Sequence, residues 1–499
     1  MRSILTIHAL LAIVLIFTFS PCFSAETNAL GGESSKYLDA VRTFADNVLK
    51  YGRDTYGPKH TPLFVDGLNI HTHEPVKWIS PKGDVLTATE TEEWIPSNFA
   101  SQQTLLRTLD GLSTLTGDPK YCNAAMQAIQ YAFDNLRASN GLLYWGQVAA
   151  YDALGDDVRS IKDEHCLKVN YPYYELMWQV NPDETKRFIE AYWFAHVIDW
   201  SNLDFNRTVI HISAINVSEK PWEHEYEGGP TFFRSKVSWA RGFFHTGTSL
   251  AHAATTLYRL SDQEQPLIWG KHLMQRFTET RNPKTGITAH LYNQQPQRMF
   301  PNEKMKEHFA DPYTTVFPFH PFEKMRQQNF RYSGENWQPL PWISLFTTGH
   351  MLGEDGEEFT QWALEELTAW AKASYRASDN SFVPILTDGT NIEGVILEAD
   401  CGLGVKGDIA TPLFASPAFF WLYATAYQMT SDELMWQMVR DIGIGNGFGD
   451  IGKTPRDTPQ FQSQTDCSDV YGLLGFLDLY RKTNKPEILS IARRIADNM

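Results

Sequence analysis

The sequence predicts an all-α protein, an (α/α) toroid or barrel of antiparallel helix pairs whose long loops form a cleft. Three observations lead there. A helix, polar turn, helix unit recurs along the chain, no linker or charge block divides it, and long aromatic, glycine-rich connections separate the units.

The chain opens with Met1-Arg2 and an apolar run from Ile4 to Phe19 that stops at Ser20-Pro21, ahead of small residues suited to cleavage near Ser24. That layout is a secretory signal, so a signal peptide is expected over 1–24, a polar leader over 25–34 and a single toroid domain over 35–499. The expected location is periplasmic or secreted. Pro21 is a poor residue before a lipidated Cys22. No later run approaches about 20 uninterrupted apolar residues, so no membrane insertion is expected after signal cleavage.

The first helical unit runs Leu105 to Leu115, turns at Thr116-Gly117-Asp118-Pro119 and resumes from Tyr121 to Leu136. A second spans Leu257 to Leu260, Ser261-Asp262, then Leu267 to Phe277. Met351-Leu352-Gly353-Glu354-Asp355 leads into Phe359 to Tyr375, and Tyr427 to Asp432 leads into Leu434 to Val439. The last is Leu477 to Tyr480, Thr483-Asn484-Lys485-Pro486, then Ile488 to Ile495. Each apolar stripe has the 3.6-residue period and ends at a polar turn able to cap the next helix. The connections from Thr61 to Trp78, Gly141 to Tyr174, Phe205 to Trp239 and Thr285 to Trp342 are long enough to carry function.

Composition narrows the ligand. A formal charge of −16 argues against nucleic acid, so an acidic ligand needs a local basic cluster. The 15 Trp, 21 Tyr and 30 Phe exceed what a core needs, which suits a sugar-binding groove. Trp145, Trp200, Trp222 and Trp239 are candidate stacking platforms. Cys122, Cys166, Cys401 and Cys467 are widely separated and expected to be free thiols. Walker, dinucleotide, HExxH and GxSxG signatures are absent. Asn206-Arg207-Thr208 and Asn216-Val217-Ser218 are formal glycosylation sequons, and a functional site at Arg207 requires Asn206 to be unmodified.

Several stretches fall in one order along the chain: Thr61-Pro62-Leu63-Phe64-Val65-Asp66-Gly67, Gln102-Gln103-Thr104-Leu105-Leu106-Arg107, and Gly141-Leu142-Leu143-Tyr144-Trp145-Gly146. They continue with His165-Cys166-Leu167-Lys168, Tyr171-Pro172-Tyr173-Tyr174, Asp199-Trp200, Phe205-Asn206-Arg207 and Phe244-His245-Thr246-Gly247-Thr248. Over roughly residues 40 to 290 this pattern resembles the periplasmic pectate lyases, polysaccharide lyase family 2. The resemblance implies β-elimination of α-1,4-linked polygalacturonate, or of a related acidic polysaccharide or oligosaccharide, with an arginine base and a divalent metal, Mn or Ca. Arg207 matches that arginine, with Lys168 and His165 beside it, and Trp145, Tyr173, Tyr174, Arg241 and His245 are the expected substrate-binding residues.

The sequence departs from the pattern at the metal. Positions that carry ligands in the family hold Val148 (or Gln147), Cys166 and Thr208 here, so no metal site is expected from them. Three readings stay open. Lys168, Arg207, Arg234, Lys236 and Arg241 can neutralise the uronate without metal, which is the favoured version; or Glu164, His165 and His211 can rebuild a shifted metal site. The third is a toroid glycoside hydrolase with paired carboxylates from Glu223, Glu225, Asp400, Asp466 and Asp469. Within the elimination class, His245 or His196 can also work with Tyr173 or Tyr174. A non-catalytic carbohydrate-binding relic is the remaining alternative.

Overall fold

The computed structural model describes residues 32–79, 93–145, 149–160, 165–167, 171–209, 220–237, 242–293, 339–397, 406–461 and 465–499. The expected signal peptide lies outside the described residues, and the first helix, α1 (Gly32–Tyr51), begins within the stretch expected as polar leader. Contacts divide the chain into two compact units, each assembled from interleaved stretches. One holds Met1–Ile198, Asn206–His224 and Ala253–Leu267; the other holds Asp199–Phe205, Glu225–His252 and Ile268–Met499.

In the first unit, α2 (Gln103–Thr116) ends where Gly117 takes a φ of 72° and returns its N–H to the Ser113 carbonyl. Only a residue without Cβ adopts that conformation at no steric cost, so the chain reverses there into α3 (Lys120–Asn135). The two helices pack on each other, and Leu106, Leu109 and Leu112 of α2 and Ala125, Ala128, Ile129 and Ala132 of α3 are all buried. A further hairpin joins α4 (Tyr174–Val180) to α5 (Pro182–His196). The Asn181 side chain accepts the Glu184 N–H and Pro182 occupies the first turn, a strong start signal. The long connections fold into short antiparallel ladders. β1 (Pro96–Ser97), β2 (Ala149–Asp152) and β3 (Asp157–Ser160) form one, and β4 (His165–Cys166) pairs with β5 (Thr208–Val209) in another.

The sequence unit at Ser261-Asp262 is present as α6 (Phe244–Ser261) and α7 (Glu264–Thr278), with Asp262 at a φ of 54° between them.

The second unit stacks three further hairpins: α8 (Leu340–Leu352) with α9 (Glu357–Ala373), α10 (Pro417–Thr430) with α11 (Glu433–Gly445), and α12 (Val470–Thr483) with α13 (Pro486–Asn498). Helix α10 packs on α8 and on α12, while α9 packs on α11, so alternate helices share a layer. The sequences account for the layering. Helix α10 buries Phe419, Phe420, Leu422, Tyr423, Ala424 and Ala426, residues on every face. Helix α13 buries only Ile488, Ile491, Ala492 and Ile495, a single stripe that suits an outer helix. The five expected units are thus all helix pairs, and the class is the expected all-α, paired-helix (α/α) architecture with long loops.

Close contact between α10 and α12 depends on Gly475, where a Cβ would stand 2.5 Å from Phe420 Cδ1 and 3.2 Å from the Trp421 Cα. Because backbone closes one side, the helices would have to separate. Gly475→Ala is expected to cost about 1–3 kcal/mol, read as a lower urea midpoint at an unchanged slope.

Candidate active site

The β4–β5 ladder brings together two sequence stretches more than forty residues apart. His165 lies opposite Val209 and Cys166 opposite Thr208, so Arg207 stands at the entry to β5. Its carbonyl accepts the Leu167 N–H at 2.7 Å, and its side chain is half-buried. Asn206, just before it, is buried and donates its side-chain N–H to the Thr208 carbonyl at 2.7 Å. A buried amide cannot carry a glycan, so the sequon is silent.

Behind the ladder runs a line of buried hydrogen bonds. Trp145 Nε1 donates to His165 Nε2 at 3.0 Å, His165 Nδ1 meets His196 Nε2 at 2.8 Å, and His196 Nδ1 meets the Asn206 carbonyl at 2.7 Å. Tautomers follow from the two ends. The carbonyl only accepts, so His196 Nδ1 carries a proton and its Nε2 accepts from His165 Nδ1; the remaining His165 nitrogen accepts from the indole. Both imidazoles are neutral. Burial pushes His165 well below the usual imidazole range, with His196 adding to the effect. Burial likewise takes His196 down to about 4, opposed by the Asn206 carbonyl.

This geometry revises several expectations. His165 is fully buried with both ring nitrogens engaged, so it meets neither substrate nor a metal. Trp145 is only 4% exposed and Tyr174 is fully buried; neither is a stacking surface. Tyr173 is half-buried, donates to Asp110 Oδ2 at 2.6 Å and lies 5.0 Å from the Arg107 guanidinium, so it is a packed, hydrogen-bonded residue at the start of α4. In the second unit His245 is buried in a cluster with the rings of Phe243 and His290. Trp200 packs edge-on to Trp269, and Trp222 packs on Trp193 while donating to Glu190. Lys168, Arg241, Val148, Gln147, Glu164, His211, Trp239 and Asp400 lie outside the described residues.

Two of the positions expected to correspond to the family's metal ligands are described, and they hold a thiol and a hydroxyl. Cys166 Sγ lies 3.2 Å from Thr208 Oγ1, and the two groups share one hydrogen bond. A thiol and a hydroxyl are a poor set for a hard cation such as Mn or Ca, which takes carboxylate and carbonyl oxygens. Among the described residues no three His, Cys, Asp or Glu side chains converge to hold an ion. The carboxylates proposed for hydrolysis also have other duties: Glu223 pairs with Lys220, Asp469 caps α12 by accepting the Tyr471 and Gly472 N–H groups, and Glu225 and Asp466 are exposed. Cys122, Cys166 and Cys467 are free thiols, as expected.

A half-open cleft of about 280 Å³ lies within the second unit, lined by Asp199, Asp204, Pro230, Phe233, Arg234 and Lys236 among others. Asp204 is buried and accepts from Ser235 Oγ at 2.6 Å and Asn293 Nδ2 at 2.8 Å; desolvation raises its pKa against those bonds. Lys236 Nζ sits 2.6 Å from Asp199 and holds that carboxyl below the usual range. Arg234 is exposed and makes no ion pair among the described residues.

The paired-helix fold and the family match together make the chain a helical member of a polysaccharide lyase family. More particularly, the family described as periplasmic pectate lyase matches residues 61–499, and the chain belongs to that family. That description agrees with the exported location expected from the leader, and no described helix is long and apolar enough to cross a membrane. The pectate disaccharide-lyase of Dickeya dadantii (strain 3937) is 28% identical over 421 residues, covering 80% of this chain and 73% of the relative. Solved structures similar to it include cellobiose 2-epimerase from Spirochaeta thermophila DSM 6192, at 12% identity and a TM-score of 0.44 over 94% of this chain and 99% of that one. Another is α-1,2-mannosidase from Trichoderma reesei, at 13% identity and a TM-score of 0.46 over 84% and 74%.

The neutral histidine pair sets a pH dependence. A histidine whose folded pKa lies below 6.5 binds fewer protons folded than unfolded, so stability falls as pH drops from 6.5 toward about 4. The stability advantage of the wild type over His196→Asn is expected to narrow by on the order of 3 kcal/mol between pH 7 and pH 4, measured by urea unfolding.

Proposed function

We propose that this chain cleaves polygalacturonate or a closely related uronate polymer by β-elimination, with Arg207 as the base or the clamp on the substrate carboxylate. The observation that carries the reading is the register of β4 against β5, which fixes a half-buried arginine at the edge of a loop-built ladder. In the reaction a base removes the C5 proton beside the uronate carboxylate. The C4–O4 bond breaks, a C4=C5 double bond forms, and the departing oxygen takes up a proton. The carboxylate absorbs developing negative charge, so a cation beside it lowers the barrier. A guanidinium grips a carboxylate with two parallel N–H bonds, and it abstracts a proton only once deprotonated, which favours alkaline conditions.

With a thiol and a hydroxyl at two ligand positions, side-chain cations carry the neutralisation in this reading. Arg207 is the described cation for that role; Arg234, in the cleft of the second unit, is a separate candidate for binding a substrate carboxylate, with Phe233 and Pro230 offering apolar walls for one sugar ring. Lys236 is spoken for by Asp199, which makes it the weaker candidate.

Incubation with polygalacturonate is expected to yield ultraviolet absorbance from the conjugated double bond, undiminished by EDTA. Reducing sugar without absorbance would instead establish hydrolysis, and binding without any product would identify a carbohydrate-binding relic. Arg207→Ala is expected to lower kcat by about 10²–10⁴-fold, with the wild-type rate rising toward alkaline pH. Arg234→Gln is expected to raise KM roughly tenfold with kcat preserved, the effect of one lost charge-assisted bond to substrate.

A further inference from the structure

We infer that His196 is a positioning residue for Arg207, acting through the carbonyl of Asn206 at the end of a one-way line of hydrogen bonds from Trp145 through His165. This rests on the reading of Arg207 as the reactive arginine. Three fixed points hold the backbone around that residue. On one side, Asn206 exchanges two bonds with His196: its N–H donates to the His196 carbonyl at 2.9 Å, and its carbonyl accepts from His196 Nδ1 at 2.7 Å. On the other, the Arg207 carbonyl takes the Leu167 N–H at 2.7 Å, and the Asn206 side chain bridges over Arg207 to the Thr208 carbonyl at 2.7 Å. The peptide planes that set the direction of the Arg207 side chain are therefore fixed by groups outside it.

The ladder does not do this alone, because β4 and β5 are two residues each and a pairing that short is not stable in isolation. What holds it is the buried ring pair. His165, a β4 residue, reaches His196 at the end of α5, and His196 reaches Asn206 just before β5, so α5 and both strands are locked by two imidazoles. Each neutral ring has one donor and one acceptor, so the line runs in one direction only. Loss of the His196 Nδ1 donor removes the side-chain bond that ties the buried Asn206 carbonyl to the end of α5, and the peptide is freer to rotate.

Two variants separate positioning from packing. His196→Asn keeps an N–H donor near the position of Nδ1, whereas His196→Gln places its amide near Nε2 and abandons the Asn206 carbonyl. Both lose one half of the ring pair, so a purely structural role lowers their melting temperatures and rates alike. Positioning predicts that the Gln variant loses kcat by about ten- to a hundredfold at unchanged KM for polygalacturonate, while the Asn variant stays within about threefold of wild type. Arg207→Ala is measured in the same assay. If Arg207→Ala keeps its kcat, the reading of Arg207 itself falls. If Arg207→Ala is inactive yet the Asn and Gln variants share one kcat, or differ in KM instead, the positioning role of His196 is refuted.

Discussion

The structure around Arg207 depends on the burial of two neutral imidazoles. Desolvation drives both His165 and His196 away from the charged form, and a neutral ring offers one donor and one acceptor in fixed places. With Trp145 able only to donate and the Asn206 carbonyl able only to accept, a single proton arrangement satisfies every atom in the line. A charged ring in either place would point two donors at once and leave a neighbour facing the wrong partner. The interior thus sets the proton arrangement, and that arrangement fixes the loop geometry at the surface. If a reacting group sits on that loop, its misplacement by about 1 Å can cost on the order of a hundredfold in rate.

The helical part was legible because its signals are local. Gly117, Asp432 and Asp469 mark helix ends by capping chemistry, and the stripe Ile488, Ile491, Ala492 and Ile495 declares an outer helix by spacing alone. The hairpin of α4 and α5 went unread although Asn181-Pro182-Asp183-Glu184 is a clear start. Helix α4 has seven residues, too few to show a period, and its aromatic opening at Tyr173-Tyr174 reads equally as a loop. The two-residue strands carry no pattern at all. They exist because tertiary contacts place them side by side.

At the candidate site, Arg207 rests on the resemblance alone, while burial corrects the reading of the rings around it. Trp145, His165 and Tyr174 have side chains that serve a sugar groove or a packed interior equally well, and burial decides between them. His196 was visible only as one possible partner for a tyrosine, since nothing in the spacing from 165 to 196 to 206 shows that the three meet. The acidic residues were more readable. Asp469 stands directly before a helix, where a carboxylate capping free N–H groups is the ordinary outcome.

The contact between Cys166 and Thr208 bears on how such a site handles charge. These side chains are Cα partners across the ladder and close on each other, a thiol and a hydroxyl where a hard cation would need carboxylate or carbonyl oxygens. An elimination without a divalent ion would have to offset the uronate carboxylate by other means, and a net charge of −16 repels such a carboxylate at long range. That compensation must be local and directional, supplied by guanidinium groups rather than by the overall field. Self-neutralisation limits which cations are available: in the second unit Lys236 is already committed to Asp199, whereas Arg234 faces solvent. Arginine suits the task better than lysine because its planar fork fits a carboxylate in one orientation, so one residue supplies both charge and alignment.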